Sequence, residues 1–124
     1  MVIDTSAVLS IFFNEQHGPW ALDQMQAAQD GLRMSTVNLA ETLILLEDRQ
    51  PQLASRLKST LLNSSIRFVA PDSQTAIVAA TARIQFPLNL GDCFAYALAR
   101  SEGCPLITLD RDFLATDIKV ILPH

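Results

Sequence analysis

Short apolar, β-branched runs alternate along this chain with longer stretches whose apolar positions recur at helical spacing. The short runs predict strands over residues 2–3, 33–36, 66–69, 106–109 and 119–122. The longer stretches predict helices over 5–13, 19–29, 39–48, 52–63, 73–84 and 92–101, with a short helical turn over 111–114. Strands separated by helical segments of this length form βαβ crossovers, which lay the strands parallel and cover both faces of the sheet. The expected fold is α/β, a three-layer α/β/α sandwich around a central, mostly parallel sheet. Boundary residues fit this parsing. Pro51, Pro71, Pro87 and Pro105 fall between elements, where a missing N–H does no harm, and Pro19 suits the first turn of a helix. Gly31, Gly91 and Gly103 fall beside helix ends, where tolerance of positive φ is useful.

One predicted helix is unusual. Leu39-Ala40-Glu41-Thr42-Leu43-Ile44-Leu45-Leu46 is apolar nearly all round. Such a helix packs against more than the sheet: either neighbouring helices bury it, or it faces a subunit or partner.

Length and composition narrow the class. The 124 residues suit one domain, residues 1–124, with a usable core but not two. With 49% hydrophobic and 18% charged residues, the make-up is that of a globular chain. No apolar run approaches bilayer length, and Asp4 stands where a signal peptide would carry Lys or Arg. No membrane association and a cytoplasmic location are expected. Cys93 and Cys104 are not spaced as a CxxC pair and read as small buried hydrophobes. The net charge of −4 does not advertise a nucleic-acid binder. Nor does it exclude one, because carboxylates that hold a divalent cation no longer repel phosphates once the cation is bound.

The candidate chemistry lies in four acids. Asp4 ends the first strand, Glu41 lies in the first turn of the helix after the second, Asp92 starts a helix, and Asp110 follows the strand over 106–109. Parallel strands point the same way, so these positions collect along one edge of the sheet, where open α/β sheets hold ligands. Clustered carboxylates raise one another's pKa unless a cation neutralises them. Oxygen-only ligands select hard ions such as Mg²⁺ or Mn²⁺, and neither His17 nor His124 falls near the site to favour zinc. Such ions activate water and hold phosphoryl oxygens, so the implied chemistry is phosphodiester hydrolysis.

Each acid also has a plainer reading. Asp92 alone reads as a helix cap. Glu41 complements a helix dipole, although Leu39, Leu43 and Ile44 around it argue against exposure. Asp110 suits a turn or cap before Arg111-Asp112-Phe113. Asp4, directly after a buried strand, is the hardest to explain without a partner. No Gly-rich phosphate loop, GxSxG elbow or nucleophilic triad is present. A phosphoacceptor receiver would want paired acids after the first strand, and a DxDxT phosphatase fails because Thr5-Ser6 follows Asp4.

At these residues the chain resembles the PIN-domain family, specifically the VapC-type toxins of bacterial toxin–antitoxin pairs. The matching motifs are Val2-Ile3-Asp4-Thr5-Ser6-Ala7, Asn38-Leu39-Ala40-Glu41-Thr42, Leu90-Gly91-Asp92-Cys93-Phe94-Ala95-Tyr96-Ala97-Leu98-Ala99 and Leu106-Ile107-Thr108-Leu109-Asp110-Arg111-Asp112-Phe113. They span nearly the whole chain in the family's order. The resemblance implies a Mg²⁺- or Mn²⁺-dependent ribonuclease acting on RNA, with Asp4, Glu41, Asp92 and Asp110 as the catalytic acids. It implies Asp4, Asp92 and Asp110 as metal ligands, with Asp112 as a reserve, Asp117 as a weaker one, and Thr5 and Ser6 as supporting hydroxyls. It also implies a homodimer captured by a VapB-type antitoxin. A catalytically inactive PIN-fold binding module is the alternative, which the intact acids disfavour. The chain departs from many relatives in one segment. Residues 83–89 are short and carry a single positive charge, Arg83, where a longer basic stretch is common.

Overall fold

The computed structural model describes residues 1–28 and 30–124. In chain order the elements are β1 (Val2–Ile3), α1 (Thr5–Phe12), α2 (Gly18–Ala27), β2 (Leu32–Ser35), α3 (Thr36–Arg49), α4 (Ala54–Leu62) and β3 (Ile66–Val69). Then follow α5 (Ser73–Gln85), α6 (Leu90–Glu102), β4 (Leu106–Ile107), a 3-10 turn (Arg111–Ala115) and β5 (Val120–Ile121). The strands form one parallel sheet in the order β3-β2-β1-β4-β5.

The period-two alternation of strand side chains divides the core between the two faces. Val2 and Leu106 join Ala79, Leu98 and Phe113, contributed by α5, α6 and the 3-10 turn. Ile3 and Ile107 point the other way, against Val8, Ala21, Met34 and Leu61. Helices cover both faces, so the α/β fold with a parallel sheet is as the pattern predicts. Among the described residues no helix is long and apolar enough to cross a membrane.

Several element ends are set by side chains that accept orphan helix N–H groups. Asp4, Ser35, Asp72 and Asn89 cap α1, α3, α5 and α6. Two caps move the predicted boundaries. Ser35 starts α3 at Thr36, three residues before position 39, with no loop after β2. Asn89 starts α6 at Leu90, so Asp92 lies inside the first turn and is not the cap. The end of the helix predicted over 19–29 falls on Gln29, outside the described residues. β4 stops at Ile107 because the backbone beyond it bonds to side chains: Leu109 N–H to Ser6 Oγ and Asp110 N–H to Thr108 Oγ1.

Two glycines behave as expected: Gly31 and Gly103 adopt φ of 81° and 62°. Gly91 does not. It lies within α6, and its role is close approach rather than positive φ. The apolar helix is also less simple than its sequence. The buried stripe of α3 is Asn38, Thr42 and Leu46, while Leu39, Leu43 and Leu45 are half-buried and Ile44 is 67% exposed. Cys93 is buried and Cys104 half-buried, and both are free thiols.

Candidate active site

The strand order reverses at β1. The chain steps outward from β1 to β2 and β3, then crosses to β4 and β5 on the far side. At such a switch point the loops leaving adjacent strands diverge and open a crevice at their carboxyl ends. Asp4 leaves β1 there, and Thr108 and Asp110 leave β4 beside it.

Asp4 is only 2% exposed, yet every oxygen is occupied. Its Oδ1 accepts from Ala7 N–H at 3.1 Å and from the Ser6 hydroxyl at 2.7 Å, and its Oδ2 accepts from the Thr108 hydroxyl at 2.5 Å. Burial pushes the carboxyl up to about 6 despite these bonds, which favour the charged form, and Asp110 adds repulsion. The same hydroxyls tie the two strand ends together, since Ser6 Oγ also accepts from Leu109 N–H at 3.0 Å.

Glu41 arrives from α3 and is held by a second network. Its Oε1 accepts from Asn38 Nδ2 at 2.8 Å and lies 3.0 Å from the Thr5 hydroxyl. Asn38 Nδ2 also donates to the Gly91 carbonyl at 3.0 Å, which pins α3 to α6. The Glu41 carboxylate rests so closely on Gly91 that a methyl group there would overlap it. Glycine at 91 is thus the space into which Glu41 fits.

Asp92 and Asp110 complete the cluster. With Thr5, Ser6, Glu41 and Asn89 they line a cavity of about 450 Å³, whose outer wall includes Leu9, Glu15, Leu45 and Arg49. Desolvation raises the Asp92 carboxyl to about 7, with further repulsion from Asp110, Asp4 and Glu41. That repulsion across elements places Asp4, Glu41 and Asp110 within electrostatic reach of Asp92. Asp112 is exposed, does not line the cavity, and donates its backbone N–H to Asp110 Oδ1 at 2.9 Å. Asp117 serves elsewhere, accepting from the Tyr96 hydroxyl at 2.6 Å beside Arg100.

The donor set suits a hard cation in kind and charge, being carboxylate oxygen throughout. As the side chains stand, no three acids among the described residues converge closely enough to chelate one ion. Mg²⁺ does not require that, because it keeps several waters and takes one or two direct carboxylates. A cation would also relieve the repulsion that raises Asp92.

Two residues of the site carry no individual signal in the sequence. Asn38 is 1% exposed and orients Glu41, and Thr108 is fully buried and anchors Asp4. Both sit inside recognised motifs, but only the tertiary contacts give them roles.

The geometry has counterparts among known proteins. The family model described as the PIN domain matches residues 1–119. A protein named Ribonuclease VapC from Mycolicibacterium smegmatis is 37% identical over 130 aligned positions, covering 98% of this chain and 99% of the relative. VapC20 of Mycobacterium tuberculosis, described as a Sarcin-Ricin loop cleaving toxin, superposes with a TM-score of 0.84 at 18% identity, covering 98% of both chains. A toxin–antitoxin complex from Klebsiella pneumoniae gives 0.77 at 19% identity over 99% of this chain and 97% of that one. The parallel sheet and the helices that cover it are those of a PIN domain. The chain belongs to that family and, within it, to the VapC group.

Proposed function

We propose that this protein is an endoribonuclease, the toxin of a toxin–antitoxin pair, which hydrolyses RNA phosphodiester bonds with Mg²⁺ or Mn²⁺. The observation that carries the reading is that Glu41, Asp92 and Asp110 line one crevice with Asp4 buried beside it, and that burial together with repulsion from these neighbours raises Asp92 to about 7. Relatives of similar length named as VapC ribonucleases support it.

Asp4, Asp92 and Asp110 would hold the cation, with Glu41 beside them. When bound, such an ion supplies countercharge for the phosphate and lowers the pKa of a water. The chain's own residues supply position. Ser6, Thr108 and the Ala7 N–H fix the buried Asp4 next to Ser6, which lines the crevice, while Thr5 and Asn38 hold Glu41 against Gly91. Asp92, half-buried on the cavity wall, would present its carboxylate to the cation from the first turn of α6. In-line attack with departure of the 3′-oxygen leaves 5′-phosphate and 3′-hydroxyl ends. The test is to cleave a labelled RNA pool with Mg²⁺ or with chelator and to type the new ends. Asp4→Asn should abolish cleavage, at least ~100-fold. Cyclic-phosphate ends or an active Asp4→Asn protein would refute the mechanism.

The same reading includes a VapB-type antitoxin and a homodimer. It draws on relatives solved as toxin–antitoxin complexes and on the exposed Ile44 of α3. Sedimentation of the purified protein, alone and with the product of the adjacent small gene, measures both. A monomer that ignores that product would rule them out.

A further inference from the structure

One cation stands among the acids of the cavity wall. Glu41, Leu45 and Arg49 all line it, at i, i+4 and i+8 of α3, so they form a single stripe down one helix face. The stripe carries Arg49 about 12 Å along the axis from Glu41. Arg49 is exposed and closes the last turn of α3. A helix-dipole role would be satisfied by any orientation of its side chain. Instead the guanidinium lies over the ring of Phe13, 5.3 Å from its centroid. That cation–π contact holds the group at the cavity mouth while leaving its N–H donors open. Among the described residues it makes no ion pair: the three present are Arg33–Glu102, Arg67–Glu102 and Arg100–Asp117.

An unpaired, pre-positioned guanidinium at the rim of a carboxylate cavity has a definite use. The carboxylates repel a polyanion, and the short segment over 83–89 supplies only Arg83. A planar fork of donors matches phosphate oxygens. We propose that Arg49 binds a backbone phosphate of single-stranded RNA adjoining the bond that is cut, and so sets which stretch of backbone reaches the acids. This inference rests on the ribonuclease reading above.

The experiment uses the full chain carrying Asp92→Asn, which separates binding from cutting. Affinity for a short unstructured RNA is measured over a series of salt concentrations. Adding Arg49→Ala should weaken binding about tenfold at low salt, equally for RNAs of different sequence. It should also flatten the log–log salt slope by about 0.7, the loss of one phosphate contact to a single strand. Arg49→Lys should restore most of the slope, and Arg56→Ala on α4 should change nothing. In the otherwise native protein, kcat/KM should fall by the same factor.

Unchanged affinity and slope for Arg49→Ala, with the native protein still cutting RNA, would overturn this inference alone. A sequence-dependent loss at constant slope would mean base stacking and overturn it too. So would a loss of antitoxin affinity with RNA binding intact. A native protein that neither binds nor cuts RNA would overturn both this inference and the ribonuclease reading.

Discussion

Gly91 shows how a single hydrogen in place of a methyl group shapes this site. Glu41 leaves α3 and lodges against the backbone of α6, where any side chain at 91 would overlap the carboxylate. The obstructed group is the far end of a flexible side chain, so the fold can absorb the substitution by moving Glu41. Gly91→Ala should therefore stay folded, with a melting temperature within a few degrees of native, since alanine also favours the helix by up to about 1 kcal/mol. RNA cleavage should nonetheless fall roughly 10- to 100-fold, because a carboxylate displaced by an ångström no longer serves the reacting phosphate. Circular dichroism melts beside an end-labelled cleavage assay measure the two effects separately. Full activity in the alanine variant would mean that Glu41 need not sit where it does.

At the scale of the element, α6 is the clearest case of a helix built to present its first turn. Asn89 caps it, accepting from Asp92 N–H at 2.8 Å, and Gly103 ends it in the left-handed conformation at φ 62°. Between them lie Gly91 and Asp92, both at the crevice. Asn89→Ala removes the cap and should cost about 1 kcal/mol, a drop of roughly 4 °C in melting temperature. Loosening that turn should also lower cleavage more than the stability loss explains, because native-like protein still dominates at the assay temperature. Asn89→Ser, which caps as well without adding a charge to the acids, should recover the melting temperature. α3 belongs to the same scale. Its run of leucines suggested either burial under neighbouring helices or a subunit face, but its buried stripe includes Asn38 and Thr42, whose hydrogen bonds serve the site.

For the whole molecule, the crowded carboxyls link stability to pH with an unusual sign. Asp4 at about 6 and Asp92 at about 7 both bind protons more tightly folded than unfolded, where the value is 3.8. Their favourable contribution is complete below the unfolded value and is lost as pH rises through the folded values. In chelator, the melting temperature should thus decline between about pH 4 and about pH 7.5, against the trend of ordinary paired carboxylates. Asp92→Asn should flatten that decline and melt higher at neutral pH. Adding Mg²⁺ at about pH 8 should raise the native melting temperature by mass action and leave Asp92→Asn nearly unmoved. A native protein insensitive to both pH and Mg²⁺ would remove the electrostatic basis for a cation here.

Much of this architecture is legible in the amino-acid sequence. Alternating short and long apolar periods specified a covered parallel sheet, because burial on both strand faces demands continuous apolar runs. The four acids were marked by their positions at element ends, since charge beside a buried strand needs a reason. The α/β architecture and the family likeness could therefore be read along the chain, as could the four acids as candidates. How those acids are arranged became visible in the folded molecule alone. It distinguished Asp110 at the crevice from Asp112 on the surface and placed Asp92 inside a turn capped by Asn89. It also turned Gly91, Asn38 and Thr108 into parts of the site. The physical reason is range. Periodicity and capping act over a few residues and can be read along the chain. The contact of Glu41 with Gly91 and the bond from Thr108 to Asp4 join residues far apart in sequence, so they exist only once the sheet has formed.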